Sequence, residues 1–427
     1  MEKGFKNTEV GMIPEDWEVR TIEQLCISNG VVRGPFGGAL KKSFFVPSGY
    51  KVYEQKNAIY CDVALGDYFI NQEKFNELKR FEIKEGDFII SCSGTIGKIF
   101  QIPKYFKKGV INQALLKLTI DNTNYSDDYF LQYFRWENFQ KIIVDNTQGG
   151  AMKNLIGMTD FKKTIIPLPP TKAEQTAIAT ALNDADALIQ KLEQLIAKKR
   201  LIKTGAMQEL LASTSSAQGK PKEGWEWTTV DKLGKPYGGL SGKSKADFKD
   251  GNCPYIPFMN VMSNPIIDTS YFDYVNIGPT ESQHKAEKGD LFFNGSSETP
   301  EELGMCSVLL EDVPNLYLNS FCFGFRLFKE IKNNGLYLAY YFRSSYGRKI
   351  FYLLAQGATR HNLSKSNFLK IEIQIPKSEE QTRIAQILSD MDNEIAALEK
   401  QLEKYKMIKQ GMMQVLLTGK IRLDYDL

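Results

Sequence analysis

The stretch AEQTAIATALNDADALI, residues 173–189, is written again as EEQTRIAQILSDMDNEI, residues 379–395, a fixed 206 positions later. The match is longer than these words: 170–211 aligns with 376–417 without a gap, sharing Glu174/Glu380, Gln175/Gln381, Ile178/Ile384, Asp184/Asp390, Leu192/Leu398, Lys203/Lys409, Gly205/Gly411 and Leu210/Leu416. Shorter echoes lie upstream: YFLQYFR (129–135) with YLAYYFR (337–343), QGGAMKNL (148–155) with QGATRHNL (356–363), and DWEVRTIEQL (16–25) with GWEWTTVDKL (224–233). A repeat of about 200 residues is too long for a solenoid unit. The chain reads as two copies of a domain followed by a helix.

The repeated segment has helical spacing. Ile178, Leu182, Ala185, Ile189, Leu192, Ile196 and Lys199 step by alternating fours and threes, as do Ile384, Leu388, Met391, Ile395, Leu398, Leu402 and Tyr405. That is an a/d seam of three heptads. The Pro-rich leads PLPPTKAEQ and IPKSEEQ end an extended run and open a helix. Each helix should run roughly 40 residues, about 60 Å. An apolar heptad stripe needs a partner, and the chain supplies one in its other copy, so an antiparallel pair with approximate two-fold symmetry is expected. Such symmetry suits duplex DNA, whose backbone is itself two-fold symmetric. The polar STSSAQGKPKEG (213–224) reads as a linker. The expected divisions are a first globular domain at 1–172, a first spacer helix at 173–212, linker and second domain at 213–377, and a second spacer helix with tail at 378–427. Both globular blocks mix short apolar strand runs (GDFIISC, LLKLTI, LYLNSFCFGFRLF) with helical stretches. The fold class is therefore α+β: two mixed domains, two long coiled-coil helices, a pseudo-two-fold tandem repeat.

Composition narrows the function. Six scattered cysteines without a C-x-x-C pair argue against a disulfide framework or a thiolate metal site, and two histidines exclude a His-rich one. No apolar run approaches a membrane span, and the opening residues lack a secretory apolar core, so a cytoplasmic location is expected. Net charge is only +3, so nucleic-acid binding would need local patches. The globular blocks are mildly basic (23 Lys and Arg against 20 Asp and Glu in 1–172; 19 against 17 in 213–377), whereas the helices are neutral or acidic. Heads facing phosphate and helices facing protein would show this distribution. A coiled-coil scaffold that does not bind DNA fits the duplication as well.

The order of motifs resembles the specificity (S) subunits of type I restriction–modification systems. The resemblance spans essentially the whole chain: the opening GFKNTEVGMIPEDWEV, RGPFGGALKKSFF (33–45), GDFIISCSGTIGKI (86–99), YGGLSGKSKADF (237–248), YIPFMNV (255–261), GDLFFNGSSETPEELGM (289–305), YLNSFCFGFRLF (317–328) and the two helical repeats. It implies two target recognition domains, each reading one half of a split double-stranded DNA site, with helices that set the spacing and dock two methyltransferase (M) subunits. It implies S-adenosylmethionine on the M subunits, ATP and Mg on restriction (R) subunits, and no cofactor, metal or catalytic residue on this chain. A specificity subunit of a restriction class with modification and cleavage fused in one chain would share these features.

The residues agree with a non-catalytic chain. The Pro-Pro of PLPPTK lacks the flanking residues of an adenine-methyltransferase motif, and GGLSGKS and SGTIGK miss the phosphate-loop spacing. Glu54-Gln55-Lys56 resembles half of a nuclease motif but has no acidic partner ahead of it. Candidate DNA contacts are residues able to meet phosphate or base edges, beside glycines that let backbone approach closely. In the first head these are Arg33, Lys41, Lys42, Ser91, Ser93, Thr95, Lys98 and Lys153, with glycines 34, 37, 38, 94 and 97. In the second they are Ser241, Lys243, Lys245, Asn260, Asn294, Ser296, Ser297, Thr299, Arg360 and His361. Glu298, Glu301 and Glu302 read mainly as helix-cap acids, and most aromatics read as core.

Overall fold

The run GDFIIS carries three consecutive apolar residues, and Phe88–Ser91 is correspondingly buried on both faces. In the computed structural model it is a central strand of the first head. The structure describes residues 4–145, 154–155, 157–212, 222–248, 250–355, 357 and 360–423. Lys153 and most of the expected linker lie outside them. The described chain divides into two compact units, Met1–Leu192 with Gln401–Leu427, and Glu193–Lys400.

In the first unit, β1 (Cys26–Arg33), β3 (Phe88–Ser91), β4 (Ile99–Gln101) and β6 (Leu115–Ile120) form an antiparallel sheet in the order β1-β6-β3-β4. Leu116 faces Arg33, Leu115 faces Ser91 and Ile90 faces Ile99. In a second sheet, β2 (Tyr50–Tyr53) and β5 (Gly109–Ile111) pair in parallel, Val110 opposite Val52. Short helix α1 (Gln55–Ile59) follows β2, and α2 (Asp127–Arg135) follows β6.

The second unit repeats this plan. Strands β7 (Gly234–Gly238), β9 (Leu291–Asn294), β10 (Cys306–Val308) and β12 (Cys322–Leu327) are ordered β7-β12-β9-β10, the same order of sequence roles. Strands β8 (Cys253–Ile256) and β11 (Tyr317–Leu318) pair in parallel, Tyr255 opposite Tyr317. Helix α4 (Phe258–Ser263) follows β8, and α5 (Gly335–Arg343) follows β12. The heads diverge in sequence, yet their strands are wired alike.

The repeated segments are two helices of 39 residues, α3 (Lys172–Leu210) and α6 (Ser378–Leu416). At the start of α3, Thr171 Oγ1 accepts the Glu174 N–H at 3.2 Å. Within the first unit α3 runs antiparallel to the end of α6: Asp186 pairs with Lys409 and Glu174 with Arg422. Within the second unit the end of α3 runs antiparallel to the start of α6, with Lys199 on Glu394 and Lys203 on Asp392.

The seam does more than join helix to helix. Ile178 and Leu182 enter the core of the first head with Trp17, Tyr129 and Phe134, and Met413, Leu416 and Leu417 close the same cluster. In the second unit Ile384 and Leu388 enter the head core with Trp225, Tyr337 and Phe342, and Leu211 closes it. Full burial of each such side chain is worth about 1.5–3 kcal/mol, so helix and head are one packed body. Further along, Leu192, Ile196, Ile395 and Leu402 are buried, and Ile189, Met391 and Leu398 are half-buried.

Candidate nucleic-acid interface

The exposed edge of each head is built on an asparagine turn. Asn112 follows β5 and Asn319 follows β11. The Asn112 N–H donates to the Tyr53 carbonyl at 2.9 Å, and the Asn319 N–H to the Ile256 carbonyl at 3.2 Å. Each side-chain oxygen then accepts a backbone N–H two residues on, Ala114 at 3.0 Å and Phe321 at 2.9 Å. This Asx turn fixes a two-residue tip, Gln113-Ala114 in one head and Ser320-Phe321 in the other. A glycine braces each turn from behind. A Cβ on Gly34 would overlap the Asn112 carbonyl oxygen, and one on Gly239 the Asn319 carbonyl oxygen. The Gly-rich segments therefore have a structural use where they begin.

The hairpin loop after β3 or β9 lies against that tip. The Cys92 N–H donates to the Ala114 carbonyl, and the Gly295 N–H to the Phe321 carbonyl, each at 2.9 Å. In both heads the last strand residue closes the loop from inside. Ser91 Oγ accepts the Lys98 N–H at 3.0 Å, and Asn294 Oδ1 accepts the Met305 N–H at 2.6 Å. Ser91 and Asn294 are fully buried, so neither is placed to touch DNA. Burial also pushes the neighbouring Cys92 thiol up to about 11, against the opposing pull of Arg33.

Asn260 is likewise a scaffold residue. It is fully buried, donates to the Asp268 and Tyr271 carbonyls at 2.9 and 2.8 Å, and accepts the Asp268 N–H. Its counterpart Asn57 holds the equivalent loop by donating to the Asp62 and Leu65 carbonyls. Amide chemistry that suits adenine suits a buried loop equally, and burial decides between them. Lys243 is engaged by Glu281 at 2.5 Å and by the Asn276 carbonyl at 2.6 Å, an internal tie. A short 3-10 turn, Lys245–Phe248, follows it, so GGLSGKS has neither the free lysine nor the helix of a phosphate loop. Ser297 is buried, and its Oγ accepts the Thr299 N–H. Glu54 opens α1 and pairs with Lys56 at 3.0 Å.

The remaining candidates reach the surface. Lys41 and Lys42 are exposed where two 3-10 turns meet, and Ser93 and Thr95 are exposed on the β3–β4 loop. Arg33 is half-buried at the end of β1, and Ser241 and Lys245 are exposed. Lys98 turns toward a cavity of about 480 Å³ that it lines with Arg135 and Lys409. In the second head a two-residue ladder brings Ser296 opposite Asn362 and Ser297 opposite His361. Thr299 is exposed on the same loop, and the exposed Arg360 guanidinium stands 5.5 Å from the Phe321 ring centroid. The GSSETP segment and Arg360–Asn362 thus form one surface with the tip. Gln113, Phe321, Met259 and Arg135 reach the surface too and were missed by sequence reasoning. The signal for the first two was the parallel between VINQALLKL and YLNSFCFGF.

Repeated polar residues join each helix to its head. Gln175 Oε1 accepts the N–H of Ser126, the N-cap of α2, at 2.9 Å, while its amide donates to the Pro169 carbonyl. Gln381 does the same for Asn334, the N-cap of α5, and for Pro376. Asp186 receives Gln132 from α2 and Lys409 from α6, at 2.9 and 2.6 Å. Asp392 receives Tyr340 from α5 at 2.7 Å and Lys203 from α3. Two equal offsets in the repeat thus meet in the same ion pair.

A family model described as the type I restriction modification DNA specificity domain matches residues 14–199 and again 222–406. The chain belongs to that specificity family. The putative type I restriction enzyme MjaX specificity subunit of Methanocaldococcus jannaschii is 28% identical over 446 residues, covering 99% of this chain and 97% of the relative. The MjaVIII specificity subunit of the same organism is 27% identical over 440 residues, with the same coverage. Among solved structures, the type I S subunit from M. genitalium superposes with a TM-score of 0.54 at 17% identity, covering 97% of this chain and 99% of that one. A chain solved in work on complex assembly and conformational transition of the type I R-M system gives 0.58 at 16%, covering 96% and 99%. These likenesses show the S-subunit fold. Each family match takes in one head and most of the helix after it. Both heads of a specificity chain are therefore present.

Proposed function

We propose that this chain is the DNA-reading subunit of a type I restriction–modification complex, each head recognising one half of a bipartite duplex site. The family match repeated over both halves carries this reading. Two heads on one scaffold, with different exposed tips, are what recognition of two different half-sites requires. The helices set the spacing and offer their remaining faces to methyltransferase subunits, which supply S-adenosylmethionine; restriction subunits supply ATP and Mg. The chain itself is non-catalytic and positions chemistry done by its partners. Among the described residues no His, Cys, Asp and Glu group is arranged to hold a metal, and no helix is long and apolar enough to cross a membrane. We place the complex in the cytoplasm, with the host DNA.

Phosphate contacts would orient each head without reading sequence, and exposed Lys41, Lys42, Lys245 and Arg360 are suited to them. The test is co-expression with the partner methyltransferase, followed by modification-sensitive sequencing of the host genome. A bipartite methylated motif is expected; methylation that is absent or has no motif would overturn the reading.

A further inference from the structure

The two heads hold the same tip with the same parts and put different chemistry on it. Asn112 and Asn319 fix the turn, Gly34 and Gly239 brace it, and the neighbouring hairpin loop clamps it through one backbone hydrogen bond. On the first tip the large exposed side chain is Gln113, which has no hydrogen-bond partner among the described residues. On the second it is Phe321, 54% exposed. Phe321 sits edge-on to Phe258 with centroids 6.3 Å apart, and Met259, also 54% exposed, adjoins Phe258 in α4. An aromatic ring left this far in water, on a turn held by part-buried hydrogen bonds, contributes little to the core. Its cost is offset if a ligand covers it.

We propose that this tip is the principal base-reading element of each head, working through an amide in the first and an apolar contact in the second. The inference rests on the DNA-reading function proposed above. Gln113 presents a donor and an acceptor together, which matches adenine N7 and N6 in the major groove. Phe321 offers no hydrogen bond and suits the thymine methyl group. Arg360, already over the Phe321 ring, brings a guanidinium to the same spot, where it can take a guanine edge or the adjacent phosphate. Each turn is defined by the Asn side-chain bond and a backbone bond to the hairpin loop, so the tip meets DNA with its turn already formed. Rigid support with interchangeable tips also lets one scaffold serve two half-sites.

The test uses the full chain co-expressed with its methyltransferase and reads the genomic methylation motif. Gln113→Ala should relax one position in one half-site, and Phe321→Ala one position in the other, each with about 10- to 100-fold loss of discrimination. Gln113→Glu should shift preference at that position from adenine toward cytosine, because a carboxylate accepts from the cytosine amino group. Should an alanine variant fail to fold, Gln113→Glu keeps the volume and should shift the first half-site toward cytosine as above, and Phe321→Gln replaces the apolar contact by an amide and should shift the second half-site from thymine toward adenine. Unaltered motifs for folded variants overturn the tip assignment. So does a single variant that relaxes both halves. A wild-type complex with no bipartite motif instead overturns the DNA-reading function itself, which distinguishes the two failures.

Discussion

Gln175→Ala isolates the role of one repeated residue. Gln175 is 3% exposed and bridges the Ser126 N–H, at 2.9 Å, to the Pro169 carbonyl, at 3.2 Å. Alanine leaves one buried donor and one buried acceptor without these bonds. An unmet buried group costs about 1–3 kcal/mol, so the pair should cost about 3 kcal/mol, roughly a hundredfold in a local opening equilibrium. The effect should be concentrated at the N-terminus of Asp127–Arg135, which Ser126 caps. Two packed units need not unfold in one step, so a global midpoint would blur it. Hydrogen exchange by mass spectrometry reads the helix directly. Protection of 127–135 should fall by about a hundredfold. The exposed neighbour Thr176, replaced by alanine, should change stability by less than about 0.5 kcal/mol. Gln381→Ala should loosen Gly335–Arg343 in the same way and leave 127–135 unchanged. Exchange rates within twofold of wild type for Gln175→Ala would refute the bridging role.

Arg343 and Arg135 hold equivalent places at the ends of α5 and α2 but have different surroundings. Arg343 is half-buried and donates to the Val261, Met262, Asn264 and Cys306 carbonyls, and desolvation pushes it down to about 10, still protonated at neutral pH. Arg343→Met should cost about 3 kcal/mol in urea unfolding, and the exposed Arg135→Met about nothing; equal costs would contradict this difference. Lys41→Ala with Lys42→Ala should reduce the log–log salt slope of duplex binding by about 2, and an unaltered slope removes both from the interface. Leu398→Lys puts charge on a half-buried seam position, should destabilise the second unit by about 1–2 kcal/mol, and should weaken co-purification of the methyltransferase. Undiminished co-purification and stability would count against the seam.

The long helices were legible because their signal is local and repeated. A heptad seam of three repeats and a gap-free copy leave little else for 172–210 and 378–416 to be. The duplication of the heads was legible from the short echoes at 16–25, 129–135 and 148–155, but their common strand order was not, because strand pairing is non-local. What the copies share between their anchors is sparse: Gly34/Gly239, Asp87/Asp290, Asn57/Asn260 and Asn112/Asn319. Each pair supports a backbone turn, and the intervening residues are free to vary so long as the sheet stays apolar. The same sparseness explains the misreadings at Asn260 and Asn294. A polar residue in a loop-like string looks available for ligand, and only the fold reveals that its amide is spent on carbonyls within the head. Phe321 fails in the opposite direction. An aromatic in an apolar run reads as core, and the turn at Asn319 turns it outward.

The boundary of the sequence repeat and the boundary of the packed unit do not coincide, and this bears on why the helices remain alike. The family matches pair each head with the helix that follows it, 14–199 and 222–406. The compact units pair each head with the start of its own helix and the end of the other. Ile178 and Leu182 share a core with Met413, Leu416 and Leu417; Ile384 and Leu388 share one with Leu211, and with Met207 and Leu210 at its margin. Each helix must therefore fit a head at both ends. Its first turns carry the Gln that holds the N-cap residue of a head helix, and its middle and end carry the Asp and the Lys of the repeated ion pair. An insertion between these features would shift the heptad and misplace the far contacts even where the near ones were kept. The heads face no such double constraint at their tips. Fixed helices and variable tips then follow from the packing itself, before any demand made by DNA.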